Sequence, residues 1–80
     1  MPRNSKSSKD LKELGSELKK LRLSRGLSQD DLENFGINSK HYQDIERGLI
    51  NPTFLSLKKI AVAFGCTVAD LVSFKKSPKV

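Results

Sequence analysis

Residues 27–48 read LSQDDLENFGINSKHYQDIERG and contain two helix starts on either side of a glycine. Ser28 and Asp31 stand three residues apart, which is the spacing of a capping box, in which each side chain bonds the backbone N–H of the other residue. This pattern predicts that the second helix of the chain begins at Gln29 and that Gly36 ends it.

The rest of this stretch predicts a third helix. Asn38 is a residue type preferred at helix N-caps, and a helix is expected over residues 39–47, before Gly48. Tyr42 and Ile45 form its inward side, so Tyr42 is interpreted as a core residue. A short helix, a turn with glycine and a second capped helix make up the helix-turn-helix plan.

Helices are predicted on both sides of this unit. Ser7 and Asp10 have capping-box spacing, and apolar residues follow at intervals of three and four: Leu11, Leu14, Leu18 and Leu21. Thr53 is expected to cap a fourth helix, and Thr67 with Asp70 to open a fifth. No segment alternates with period two over a useful length, so the chain is predicted to be a compact all-α domain of five helices.

The composition limits what the chain can be. Its 80 residues, 36% of them apolar, suffice for one small domain. The predicted core consists of Leu18, Leu21, Leu27, Leu32, Phe35, Ile37, Tyr42, Ile45, Leu57, Ile60, Phe64, Val68 and Leu71. With no long apolar run and no secretory leader in MPRNSKSSKD, we expect a cytoplasmic protein without membrane contact.

Enzymatic chemistry is not expected. The chain has one histidine, one cysteine and no glycine-rich phosphate loop, so it lacks the parts of a nucleophile, base or metal site. We therefore expect no catalytic residues, metal, cofactor or small-molecule ligand. Cys66 is interpreted as a small, partly buried residue.

The positive charge lies at the ends of the chain. The net charge is +6, but all nine acidic side chains and all but six of the 15 basic ones lie within residues 10–71, so that body is formally neutral. We divide the chain into a flexible basic arm over residues 1–8, a domain over residues 9–74 and a basic tail over residues 75–80. Basic ends attract polyanions such as nucleic acid without selecting among sequences.

Three segments carry a family resemblance: LSQDDL at residues 27–32, GINSKHYQDIERG at 36–48 and NPTFLSLKKIAVAFG at 51–65. Together they resemble the Cro and phage-repressor type (Xre-like) of helix-turn-helix regulators, over about residues 14–71. The resemblance implies a lambda-repressor-like DNA-binding domain in which the second and third helices dock on duplex DNA. Such proteins usually act as two-fold dimers, and the resemblance implies a bacterial or phage-encoded protein.

The third helix resembles the recognition helix of that family. Its N-terminal residues would lie deepest in the major groove, which makes four side chains candidates for base contacts: Ser39, Lys40, His41 and Gln43. Lysine can donate to guanine, glutamine can pair with adenine, and serine can donate or accept. Four further residues resemble phosphate-binding positions: Gln29, Asn38, Arg47 and Asn51. The resemblance also implies that Gln29 braces the recognition helix.

Two further pairs are assigned from the resemblance and the pattern. Arg22 and Glu46 match a structural salt bridge that ties the recognition helix to the first helix. Val72 and Phe74 are the expected dimer interface. The chain departs from the family pattern in two ways. The segment between Leu32 and Gly36 is one residue shorter than usual. The small residue that the pattern has in this segment is missing, and Glu33 and Asn34 stand near its position.

The sequence thus predicts a sequence-specific, double-stranded-DNA-binding transcriptional regulator. It would act as a repressor or autoregulator, as a dimer on a palindromic operator. The alternatives are an antitoxin and a protein-interaction module that uses the same fold. Ser39, Lys40 and Gln43 favour DNA, whereas Asp44 argues against DNA if it faces the groove.

Overall fold

The computed structural model describes the backbone of residues 3–73 and the side chains of residues 9–73. Within that part the chain forms five helices and no strand, which confirms the all-α fold. Four are α-helices and one is a 3₁₀ helix: α1 Arg3–Ser24, the 3₁₀ helix Asp30–Phe35, α2 Ser39–Glu46, α3 Phe54–Phe64 and α4 Val68–Val72. None of these helices is both long and apolar enough to cross a membrane.

The first helix begins earlier than predicted. Its first residue is Arg3, so the start expected after Ser7 is wrong. No proline or glycine stands between Arg3 and Gly15, so nothing in these residues prevents the helix from extending upstream of Ser7. The division into arm, domain and tail stays a prediction, and residues 75–80 lie outside the described residues.

The second helix is capped as predicted but wound as a 3₁₀ helix. The Ser28 amide donates to Asp31 Oδ2 at 2.8 Å, and the Asp31 amide donates to Ser28 Oγ at 3.1 Å. A 3₁₀ helix rises about 2.0 Å per residue, so its six residues span about 12 Å, a length that an α-helix covers with about eight. The 3₁₀ winding therefore lets the short segment before Gly36 reach further than an α-helix with the same number of residues would.

Side-chain caps define the remaining helix starts. Asn38 Oδ1 accepts from the His41 amide at 2.9 Å, which confirms the predicted start of α2. Thr53 caps α3, and Thr67 with Asp70 forms the predicted capping box of α4. These caps satisfy backbone N–H groups that a helix leaves without an internal partner.

Two glycines allow α1 to lie directly against the C-terminal end of α2. A Cβ atom on Gly15 would lie 2.6 Å from the carbonyl oxygen of Ile45 and closer still to that of Glu46. A Cβ atom on Gly48, whose φ is +76°, would lie 2.8 Å from Cα of Lys12. The backbones of α1 and α2 therefore touch at a place where any other residue would hold them apart.

The core lies between these helices and includes most of the predicted residues. Its fully or almost fully buried members are Leu18, Leu32, Ile37, Tyr42, Ile45, Ile60, Ala61, Phe64 and Leu71. The rings of Tyr42 and Phe64 meet edge-to-face with centroids 6.5 Å apart, a favourable arrangement for aromatic pairs. Phe35 is 40% exposed, so its assignment to the core is wrong. It stands at the last position of the 3₁₀ helix, one turn beyond Leu32, which takes the buried position.

Candidate nucleic-acid interface

The α2 helix has a buried side and an exposed polar N-terminal part. Tyr42 and Ile45 are buried in the core, whereas Lys40 and His41 are exposed and Ser39 is half-buried. The structure thus places the N-terminal candidates for base contacts together, at the end of α2 that the glycine turn leaves accessible.

The later residues of α2 continue this surface. Gln43 is half-buried and lies one turn beyond Lys40, at a spacing that puts both on one side of a helix. Asp44 is also one turn from Lys40, and its Oδ1 lies 3.9 Å from Nη1 of Arg47. The negative charge that argued against DNA is therefore paired with an arginine at this surface.

The predicted partners Arg22 and Glu46 form an ion pair that joins α1 to the end of α2. Nε of Arg22 donates to Oε2 of Glu46 at 2.8 Å, and Nη2 donates to Oε1 at 3.2 Å. The third nitrogen, Nη1, donates to the carbonyl oxygen of Leu27 at 2.9 Å. Both charged side chains are more than nine-tenths buried. The pair holds α1, α2 and the loop before the 3₁₀ helix in one arrangement.

Glu46 also accepts hydrogen bonds from two further side chains, those of Gln29 and Tyr42. Nε2 of Gln29 donates to Oε1 of Glu46 at 3.0 Å, and the hydroxyl of Tyr42 donates to Oε2. Tyr42 was predicted only to pack in the core, whereas the bond from Gln29 agrees with the bracing of the recognition helix that the resemblance implies. The i,i+4 spacing of Tyr42 and Glu46 on one helix was the available signal for their contact.

This network keeps Glu46 ionised. Burial disfavours its carboxylate, but the hydrogen bonds from Arg22, Tyr42 and Gln29 outweigh burial and hold the pKa of Glu46 below its usual value. The hydrogen bond from Arg22 to Glu46 raises the pKa of Arg22, although burial acts to lower it. Burial, followed by the bond to Glu46, raises the pKa of the Tyr42 hydroxyl. The site is therefore a fixed guanidinium–carboxylate pair with a neutral phenol.

A depressed pKa at Glu46 predicts acid sensitivity. Its contribution to stability is present above the ordinary glutamate pKa of 4.5 and is lost as the pH falls through its lower folded-state pKa. We expect the free energy of unfolding, measured with urea from pH 7 to pH 3, to fall less steeply below pH 4.5 in Glu46→Gln than in the wild type. Ser16→Ala, an exposed substitution on α1 that changes no titratable group, should keep the wild-type slope, and equal slopes in all three proteins would contradict this assignment.

The four candidates for phosphate contacts stand at the two ends of the helix pair. Gln29 immediately precedes the 3₁₀ helix and Asn38 precedes α2, while Arg47 and Asn51 follow α2. Asn38, Arg47 and Asn51 are exposed. The amide nitrogen of Gln29 is held by Glu46, so its side chain braces the end of α2 from the start of the 3₁₀ helix.

The candidate dimer interface is described only in part. Val72 on α4 is 47% exposed, and Phe74 lies outside the described residues. Three exposed apolar side chains that the sequence analysis did not single out lie on α3: Phe54, Leu55 and Val62.

One contact at the tip of α2 involves the part of the chain that departs from the family pattern. Oε2 of Glu33 accepts a hydrogen bond from the backbone amide of Ser39 at 2.9 Å. The carboxylate of the 3₁₀ helix thus lies beside the first residue of α2.

The chain is similar in sequence to known helix-turn-helix proteins. Residues 18–71 match the family model described as helix-turn-helix. The chain is 35% identical over 66 residues to y4dJ, an HTH-type transcriptional regulator of Sinorhizobium fredii, a match that covers 80% of this chain and 86% of that protein. It is 32% identical over 59 residues to RstR, the transcriptional repressor of the cryptic phage CTXphi in Vibrio cholerae. That match covers 72% of this chain and 53% of RstR, so the chain spans about half the length of this relative.

Proposed function

Because the chain belongs to the helix-turn-helix family of DNA-binding regulators, of the Cro and phage-repressor type, we propose that it represses transcription by binding a specific duplex sequence through α2. The similarity to a phage transcriptional repressor supports repression as the outcome. Autoregulation follows if the operator lies at the promoter of its own gene.

The observation that carries this proposal is the contrast between the two sides of α2. Its polar N-terminal residues are accessible, whereas its inward side is buried and its last residue, Glu46, is held by Arg22, Gln29 and Tyr42. A helix that enters the major groove must present side chains at a defined depth and angle. The buried network supports this requirement, since it fixes the C-terminal end of α2 to its neighbours.

In the proposed complex, the side chains of α2 read bases. Lys40 donates to O6 and N7 of guanine, and Gln43 pairs with adenine one turn further along. Ser39 contacts the base edge nearest the helix start, and His41 lies beside these residues at the rim of the groove.

Phosphate contacts set the register of the complex without adding sequence information. In this proposal Gln29 and Asn38 bind one strand, and Arg47 and Asn51 bind the backbone beyond the other end of α2. The basic ends of the chain add attraction that weakens with salt.

The proposed active form is an isologous dimer. Two-fold symmetry would place the α2 helices of the two protomers about 34–36 Å apart, one turn of DNA, and so match a palindromic operator. Val72 and Phe74 are the residues proposed at the dimer interface. A partly exposed valine at the end of the last described helix is compatible with this role.

The base-reading role of α2 predicts selective effects of substitution. Lys40→Ala and Gln43→Ala should each weaken operator binding by about 1–3 kcal/mol and relax the preference at particular base pairs. Affinities for the operator and for single-base variants of it, measured by fluorescence anisotropy, check this. Lys19→Ala, which removes the same charge from an exposed position on α1, is the matched control for Lys40 and should keep every preference. A uniform loss of affinity for all duplexes would mean that Lys40 and Gln43 do not read bases.

A further inference from the structure

Glu33 lies at the end of α2 that enters the groove in the proposed complex. Its Oε2 accepts from the Ser39 amide at 2.9 Å, so the carboxylate is tied to the first residue of α2. Its backbone is also fixed, because the amide of Gly36 donates to the carbonyl oxygen of Glu33 at 3.1 Å and that of Ile37 donates to the carbonyl oxygen of Leu32 at 3.2 Å. The bond to the Ser39 amide and the two backbone bonds therefore fix where the carboxylate of Glu33 lies.

The carboxylate keeps an accepting oxygen for a ligand. One oxygen, Oε2, is engaged with Ser39, whereas Oε1 forms no hydrogen bond within residues 9–73. Glu33 is exposed, and no lysine or arginine in that range forms a salt bridge with it. An anchored, exposed carboxylate is an acceptor-only group at a fixed position.

The first turn of α2 already has its N-cap. Asn38 supplies the side-chain oxygen that caps the His41 amide, so Glu33 adds a second acceptor at the same helix end. The partial positive charge of the helix start attracts a negatively charged side chain at this place. An anion at this place costs DNA affinity near phosphates, unless a donor on the DNA pairs with it.

We infer that Glu33 is a specificity-determining residue that selects cytosine at the base pair facing the N-terminal end of α2. This inference rests on the proposed function. In the major groove cytosine presents the N4 amino donor, which a carboxylate accepts, whereas guanine presents only acceptors that repel it. Adenine also has an amino group, but its N7 acceptor lies next to that group, and thymine presents an acceptor and a methyl group.

Selection from a randomised duplex library tests this role with three variants and the wild type. Glu33→Gln keeps an oxygen for the Ser39 amide but replaces the free acceptor by a donor, and Glu33→Ala removes both. Asp30→Asn is the matched control, since Asp30 is an exposed acidic residue on the same 3₁₀ helix. Thermal melting by circular dichroism shows which variants remain folded.

We expect the wild type and Asp30→Asn to enrich the same motif, with cytosine at one position of each half-site. Glu33→Gln and Glu33→Ala should lose the preference at that position alone. For Glu33→Ala, affinity for the cytosine duplex relative to its guanine counterpart should fall at least about fivefold from the wild-type ratio.

Two results would overturn the inference. If the folded Glu33 variants enrich the wild-type motif unchanged, with or without a uniform change in affinity, Glu33 does not select a base and the proposed function still stands. If the wild type itself enriches no motif, the proposed function fails and the role of Glu33 fails with it.

Discussion

Replacing Glu46 by alanine should lower the free energy of unfolding by about 3–5 kcal/mol, because it leaves the guanidinium of Arg22 buried without its counter-charge. The loss is a large fraction of the 5–15 kcal/mol or so that stabilises a typical domain. Arg22→Ala should have an effect of similar size, since it leaves the carboxylate of Glu46 buried with only the neutral donors of Gln29 and Tyr42. Urea unfolding at pH 7 measures both losses.

The double variant tests whether the effect arises from the pair. With Arg22→Ala and Glu46→Ala combined, no uncompensated charge remains, so we expect a smaller loss than in either single variant. The exposed pair of Glu17 and Lys20, 3.3 Å apart on α1, is the control, and Glu17→Ala should change the stability by less than about 1 kcal/mol. Additive losses in the double variant would show that the two buried charges act independently.

The second large effect is expected at Gly15. Alanine normally stabilises a helix relative to glycine by about 1 kcal/mol, so propensity alone predicts a more stable protein. Here the added Cβ would lie 2.6 Å from the carbonyl oxygen of Ile45, and backbone atoms cannot move aside as a flexible side chain can. We therefore expect Gly15→Ala to lower the stability by about 1–3 kcal/mol, since α1 must shift away from α2.

A substitution at the neighbouring residue, Ser16, separates the effect of packing against α2 from the effect of helix propensity. Ser16 is exposed on the same helix, so Ser16→Ala should leave the stability unchanged or raise it by a few tenths of a kcal/mol. Thermal melting of both variants by circular dichroism provides the comparison. A Gly15→Ala protein as stable as Ser16→Ala would contradict the close approach of α1 and α2.

Local sequence signals predicted the fold well because caps and apolar spacing act over a few residues. The capping boxes at Ser28 and Thr67 and the N-cap at Asn38 all formed as expected. The same signals failed where the answer depends on the rest of the chain. A capping box indicates where a helix starts but not whether it is an α-helix or a 3₁₀ helix, so the 3₁₀ geometry after Ser28 was missed. The capping-box spacing at Ser7 predicted a helix start there, whereas α1 begins at Arg3.

The candidate interface was predictable in part for a related reason. Helical periodicity places Tyr42 in the core but says nothing about its hydroxyl, which reaches Glu46. The contact of Gly15 with the end of α2 joins segments about thirty residues apart in sequence, so no local pattern reveals it. The bond from Ser39 to Glu33 likewise depends on how the shortened 3₁₀ helix meets α2.

The measurement that tests the central proposal most directly is selection by the full chain from a randomised duplex library at about 150 mM salt, where sequence-independent binding is weak. We predict that the protein enriches a palindrome whose half-sites lie one helical turn apart, as two α2 helices related by two-fold symmetry would require. If a sample shown to be folded by circular dichroism enriches no sequence, the protein does not read DNA on its own, and a protein-interaction module becomes the favoured function.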